Sequence, residues 1–137
     1  MATSFIEFSE NGFWENDSIT EISLSYLLLV SEQMESTPEW FLEYKEFLRT
    51  ISLGYFPSYI HFNFEDWLIS RDRIDFFINL IDNTLKYLEK KDSEIPQEEI
   101  NLFVKNSKLQ MIWRKDVDKM LFVNFLEKLR ELIINKS

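Results

Sequence analysis

The chain contains no cysteine, one histidine (His61), two glycines (Gly12 and Gly54) and three prolines. Without cysteine, disulfides, zinc ribbons, iron–sulfur sites and thiol nucleophiles are excluded. The same absence fits a reducing cytoplasm. One imidazole does not build a helical di-metal site, which sets His beside Glu at helical spacing. The glycines are too few and too far apart for a phosphate-binding loop or a dinucleotide fingerprint. They also leave no nucleophile elbow to accompany a Ser–His–Asp triad on His61, so His61 reads as a structural or surface residue. Scarce glycine and proline favour helices over a β-rich fold. No apolar run approaches the ~20 residues of a spanning helix. The first ten residues lack the basic region of a signal peptide. These absences predict a soluble, unanchored, cytoplasmic protein.

Positive charge is missing from the whole first third. Residues 1–44 hold nine acids (Glu7, Glu10, Glu15, Asp17, Glu21, Glu32, Glu35, Glu39, Glu43), and the first base is Lys45. The rest of the chain is balanced, so the net charge of −9 over 137 residues belongs to that third. Phosphates and anionic lipids are repelled by such a chain, so neither nucleic acid nor a membrane is an expected partner. A field of one sign steers a basic protein partner. The competing reading is acidity that serves solubility alone.

What is present suffices for one core. Hydrophobic residues make up 45% and aromatic residues 16%, too much for a disordered chain. Surface scaling predicts a folded area of roughly 7,600 Å² for a single domain over 1–137. The expected class is all-α, an irregular bundle of about five helices with room for a short strand near the N terminus or in mid-chain.

Residues 5–16 read as a short strand or an extended tether around an Asn11–Gly12 turn. Ser18 and Glu21 form a capping box before a helix that is apolar nearly all round to about Met34, the pattern of a buried central helix. Thr37 as N-cap and Pro38 as first residue open a second helix with Trp40, Tyr44, Phe47, Leu48 and Ile51 on one face and Gly54 closing it. Residues 55–69 stay ambiguous: Tyr59 to Phe64 as strand or packed loop, Glu65 to Ile69 as one helical turn. A third helix runs from a Ser70 cap to about Lys90, with Ile74, Phe77, Ile78, Ile81, Leu85 and Leu88 inward. Pro96 opens a shorter helix to about Asn106. Lys108 to Trp113 is ambiguous. The last helix starts near Asp116 or Asp118 and turns Leu121, Phe122, Phe125, Leu126, Leu129, Leu132 and Ile133 to the core.

One constellation suggests catalysis. Glu43 and Glu46 on the second helix, with Asp72 and Asp75 opening the third, resemble the E-x-x-E plus D-x-x-D carboxylates of Mg²⁺-dependent all-α nucleotide pyrophosphohydrolases. That chemistry needs all four to face one another across paired helices, and Glu46 points away from the Trp40–Tyr44–Phe47 face. Asp72 and Asp75 also sit where acids complement a helix dipole. The expectation is therefore no catalytic residue, no metal and no cofactor, with the hydrolase as the alternative. A helical interaction domain without catalysis is the other rival.

Trp14 lies outside any helix among Glu10, Glu15 and Asp17. It reads either as a partner anchor, since tryptophan dominates binding hot spots, or as a lid folded back on the first helix. The second cluster of acids is Glu32, Glu35, Glu39 and Glu43 around the first two helices.

The stretch Gly12-Phe13-Trp14, then Asp17 and an apolar helix, then Trp40 and the Gly54 turn, resembles bacterial immunity proteins over residues 8–70. These are the cytoplasmic antagonists of polymorphic and contact-dependent growth-inhibition toxins. The resemblance implies a non-catalytic protein that binds a cognate toxin and blocks it. Many such toxins are nucleases with basic clefts, which suit an acidic inhibitor. The expected partner surface is Glu10, Trp14, Glu15, Asp17, Glu32, Glu35, Glu39 and Glu43.

Overall fold

The computed structural model describes residues 2–104 and 113–136. Two strands, β1 (Thr3–Phe8) and β2 (Asn11–Asn16), form an antiparallel hairpin with Phe5 opposite Trp14 and Ile6 opposite Phe13. The helices are α1 (Asp17–Glu32), α2 (Glu39–Ser52), a single turn α3 (Phe64–Trp67), α4 (Arg71–Glu89), α5 (Gln97–Val104) and α6 (Met120–Lys136). A second small antiparallel pair joins β3 (Glu94–Ile95) to β4 (Val117–Asp118). The chain is thus mostly helical. The expectation of about five helices becomes six among the described residues, with two small sheets added.

α1 is the central helix, packed against α2, α4, α5 and α6. Its residues Ile22, Leu24, Tyr26, Leu27, Leu28 and Val30 are buried, as the all-round apolar pattern requires. Its cap differs from the expected Ser18–Glu21 box. Asn16 is the N-cap, and its side-chain oxygen accepts from the N–H groups of Ser18 and Ile19. Glu21 does not serve the cap because it is buried one turn farther along the helix.

α2 begins one residue later than predicted. Pro38 stands at the cap, no side chain closes the end, and the first turn rests on the Pro38 carbonyl. Tyr44, Leu48 and Ile51 are buried as expected, together with Phe41, while Trp40 and Phe47 are only partly buried. Gly54 adopts φ 84°, the left-handed conformation that glycine enters without Cβ strain. Its N–H bonds to Ile51 and that of Tyr55 to Thr50, which completes a Schellman closure.

Ser70 caps α4 as expected, accepting from the Arg73 N–H. α6 begins at Met120, with Asp118 accepting the Met120 N–H. Leu121 is 40% exposed and not part of the core face, whereas Phe122, Phe125, Leu126, Leu129, Leu132 and Ile133 are buried. α5 is described to Val104, and all of the ambiguous Lys108–Trp113 piece except Trp113 lies outside the described residues. No described helix is long and apolar enough to cross a membrane.

Candidate functional site

The site is built by the hairpin and by residues 55–63. Along β1 the side chains alternate: Ser4, Ile6 and Phe8 turn inward, while Thr3, Phe5 and Glu7 turn outward. This period of two is strand geometry. Cross-strand pairing puts Trp14 beside Phe5 and Gly12 beside Glu7 on the outer face. The Phe5 and Trp14 rings lie 5.2 Å apart, centroid to centroid.

The Gly12-Phe13-Trp14 triplet now has a physical reading. A Cβ on Gly12 would stand 2.7 Å from the Phe5 ring and 2.6 Å from the Ile6 carbonyl oxygen, so the space above residue 12 belongs to Phe5. Phe13 turns inward and meets Phe125 of α6 edge-on at 5.8 Å. Trp14 turns outward and is 67% exposed. The reading of Trp14 as a lid over α1 is therefore corrected: Phe13 is the aromatic that folds back, and it does so onto α6.

Residues 59–62 run alongside β1 as an extended segment with the same alternation. Ile60 and Phe62 are buried, and Tyr59 and His61 face out. The segment is a packed loop, not a strand. Ser58 (φ 63°) and Asn63 (φ 57°) bracket it in the left-handed region, which costs about 1–2 kcal/mol for residues with a Cβ. Specific bonds hold it there. The Asp17 carboxylate accepts the Ser58 N–H at 2.6 Å and the Ser4 hydroxyl at 2.7 Å, and Ser4 Oγ in turn accepts the Ile60 N–H at 3.0 Å. From beneath, the buried Tyr44 hydroxyl donates to the Phe62 carbonyl at 2.7 Å. Phe62 and Phe64 stack at 5.1 Å. At the hairpin turn, Glu65 accepts the Ser9 N–H.

Two adjoining grooves result. One, of about 250 Å³, lies between β1 and residues 58–61, with Phe5, Glu7, Trp14, Tyr59 and His61 on its walls. The other, of about 320 Å³, is lined by Phe47, Phe56, Tyr59, His61 and Asn63. Tyr59, 78% exposed, is the ridge between them. His61 Nε2 faces Glu7 at 3.7 Å, and His61 Nδ1 accepts the Asn63 N–H. Phe5 is also exposed here in part. Contiguous exposed aromatics on a rigid frame mark interaction surfaces.

The predicted site residues are only partly brought together. Trp14 forms a groove wall, with Glu10 exposed at the hairpin turn. Glu15 is half-buried, and its carboxylate accepts the Asn16 N–H. Asp17 is corrected: it is 4% exposed, because its carboxylate is consumed by the Ser4 and Ser58 bonds. Glu32 is not an uncompensated charge. It pairs with Lys45 at 3.4 Å and Arg49 at 3.0 Å, and the Arg49 hydrogen bond holds its carboxyl below the usual range. Glu35, Glu39 and Glu43 are exposed, but neither groove includes them.

The acidic field shrinks by one more member. Glu21 is 2% exposed. Burial, with Asp17 nearby, pushes its carboxyl up to about 8, so it is mostly neutral at pH 7. The hydrolase quartet finds no shared centre either. Glu43, Glu46, Asp72 and Asp75 all stand exposed, and Asp75 pairs with Arg71 at 3.4 Å. Among the described residues, no group of three or more histidine, aspartate or glutamate side chains is placed to hold a metal ion.

Sequence reasoning missed Phe5, Glu7, Tyr59 and His61 as site residues. The signal was the alternation in Phe5-Ile6-Glu7-Phe8 and in Tyr59-Ile60-His61-Phe62, which sends every second residue outward. No protein-family model, curated protein or solved structure matches this chain.

Proposed function

We propose that this chain is a non-catalytic, partner-neutralising protein of the bacterial immunity type, which docks a cognate toxin domain on the aromatic surface around Trp14 and Tyr59. The observation that carries the reading is the pair of grooves sharing the Tyr59 ridge. Large aromatic side chains stand exposed there, on backbone that buried hydrogen bonds from Asp17, Ser4 and Tyr44 already hold in place. A surface ordered before binding loses less entropy on binding, and tryptophan and tyrosine are the usual hot-spot residues. Glu7 and Glu10 supply negative charge beside the aromatics, which suits a partner with a basic surface. The immunity-type assignment itself rests on the resemblance over residues 8–70 and on the base-free first third.

The test is co-expression with the toxin domain encoded alongside the chain. Growth should be rescued and a stoichiometric complex should co-purify. Trp14→Ala and Tyr59→Ala should lose rescue while remaining folded. Absence of both rescue and complex would overturn the proposal. Rescue that survives both substitutions would remove the aromatic surface from it.

A further inference from the structure

We infer that the groove between β1 and residues 58–61 is a receptor for a single arginine side chain of a protein partner. The inference rests on the binding function proposed above and adds the chemistry of the occupant. Its walls include the exposed side chains of Trp14 and Tyr59 and the Phe5 ring, with one carboxylate, Glu7, among them. Among the described residues, no lysine or arginine lines it. The carboxylate faces His61 at 3.7 Å, an ion pair only while the imidazole carries a proton.

The rest of the molecule shows how this chain treats its aromatic rims. Arg73 covers Trp40 at 4.9 Å, Lys91 lies over Tyr87 at 5.0 Å, and Lys128 lies over Phe13 at 5.8 Å. Among the described residues, no lysine or arginine is placed over Trp14, Tyr59 or Phe5. These exposed rings stand beside an acid, and Phe5, Glu7 and Trp14 belong to the stretch that contains no base before Lys45. Such a site attracts a cation from outside. Arginine fits better than lysine. Its planar guanidinium stacks on an aromatic face and still presents a fork of donors to a carboxylate, and it gives up hydration more readily than an ammonium. The Glu7 side chain is 44% exposed and so is open to that approach.

The test uses the full chain and needs no toxin. N-acetyl-arginine amide is titrated to tens of millimolar while the amide and indole N–H resonances are followed by NMR, with N-acetyl-citrulline amide as the neutral isostere. The arginine compound should give saturable shifts confined to Phe5, Glu7, Trp14, Tyr59 and their neighbours. The citrulline compound should give none. Trp14→Ala should weaken the response by about tenfold, and Glu7→Gln should reduce it several-fold. Equal responses to arginine and citrulline, indifference to Glu7→Gln, or shifts scattered over the molecule would each overturn the inference. Stronger shifts with N-acetyl-lysine amide than with arginine would overturn the choice of arginine. The toxin experiment separates the two readings. Rescue lost in Trp14→Ala without an arginine response leaves an interface that takes no cation. An arginine response without rescue leaves a cation groove and removes the toxin.

Discussion

The Asp17 carboxylate accepts the backbone N–H of Ser58, 41 residues away, at 2.6 Å. Through its other oxygen it holds Ser4. One side chain at the start of α1 therefore joins β1 to the loop that carries Tyr59. Asp17→Ala leaves the Ser4 hydroxyl and the Ser58 N–H short of a partner, and Ser58 in an unfavourable conformation. The expected loss is about 3 kcal/mol by urea unfolding, with collapse of the Tyr59 groove seen as loss of partner binding even where the variant stays folded. Asp17→Asn, which keeps one acceptor, should cost less than half as much. Equal losses in the two variants would contradict this account.

Glu21 makes stability fall as pH rises. Below its unfolded value of 4.5 the carboxyl is protonated in both states and contributes nothing. Between 4.5 and the folded value of about 8, the unfolded chain ionises while the folded one retains the proton. Folding then binds protons, and stability drops by about 1.4 kcal/mol for each pH unit in this window. Above 8 the loss is complete. Glu21→Gln should be more stable than the parent at pH 8 by a few kcal/mol, with the advantage vanishing near pH 4.5. Urea titrations of both proteins at several pH values measure the difference.

Gly12→Ala places a methyl group where the Phe5 ring and the Ile6 carbonyl stand. The carbonyl belongs to the paired strand and yields poorly. A cost of about 1–3 kcal/mol is expected, together with a displaced Phe5 ring and altered Trp14 fluorescence. Phe5→Ala combined with Gly12→Ala should recover only part of the loss, because the clash with the Ile6 carbonyl remains.

Trp14→Ala should change stability by less than about 1 kcal/mol, since most of the side chain is in solvent. The same substitution should abolish toxin protection. A large loss of stability with retained protection would make Trp14 structural.

The acids should divide by position. Glu32→Lys breaks a paired contact between α1 and α2 and should cost about 0.5–1 kcal/mol without slowing association with the toxin. Glu10→Lys beside the grooves should slow association and weaken its salt dependence. Reversal of Glu39 and Glu43 on α2 should have a smaller effect. Stopped-flow association at two ionic strengths distinguishes these outcomes.

The long helices were legible because their apolar residues recur at 3.6-residue spacing, as Ile74, Phe77, Ile81 and Leu88 do in α4. Gly54 was legible because a left-handed closing residue leaves a chemical signature. The hairpin was not, for a reason that also defines the site. Phe5 and Trp14 are large apolar residues on the outward face, so polarity alone does not set the inward Ile6 and Phe8 apart from their neighbours. Asp17 looked like a surface acid because its partners Ser4 and Ser58 are remote in sequence, and local spacing carries no information about such contacts. The Asn16 cap lost to an equally good local alternative, Ser18 with Glu21. Only the inward position of Glu21 decides between them.

The contact of Phe13 with Phe125 also has a consequence for the order in which the molecule is made. The hairpin leaves the ribosome well before α6, the last described element, which packs against both of its strands. Until then Phe13 lacks its α6 contacts, and strands without a packed face are only marginally stable alone. The grooves therefore come into being late in synthesis, once residues far apart in the chain have met. On the function proposed above, a nascent chain with only its N-terminal third exposed would hold no complete groove for a partner, since residues 56–63 line both.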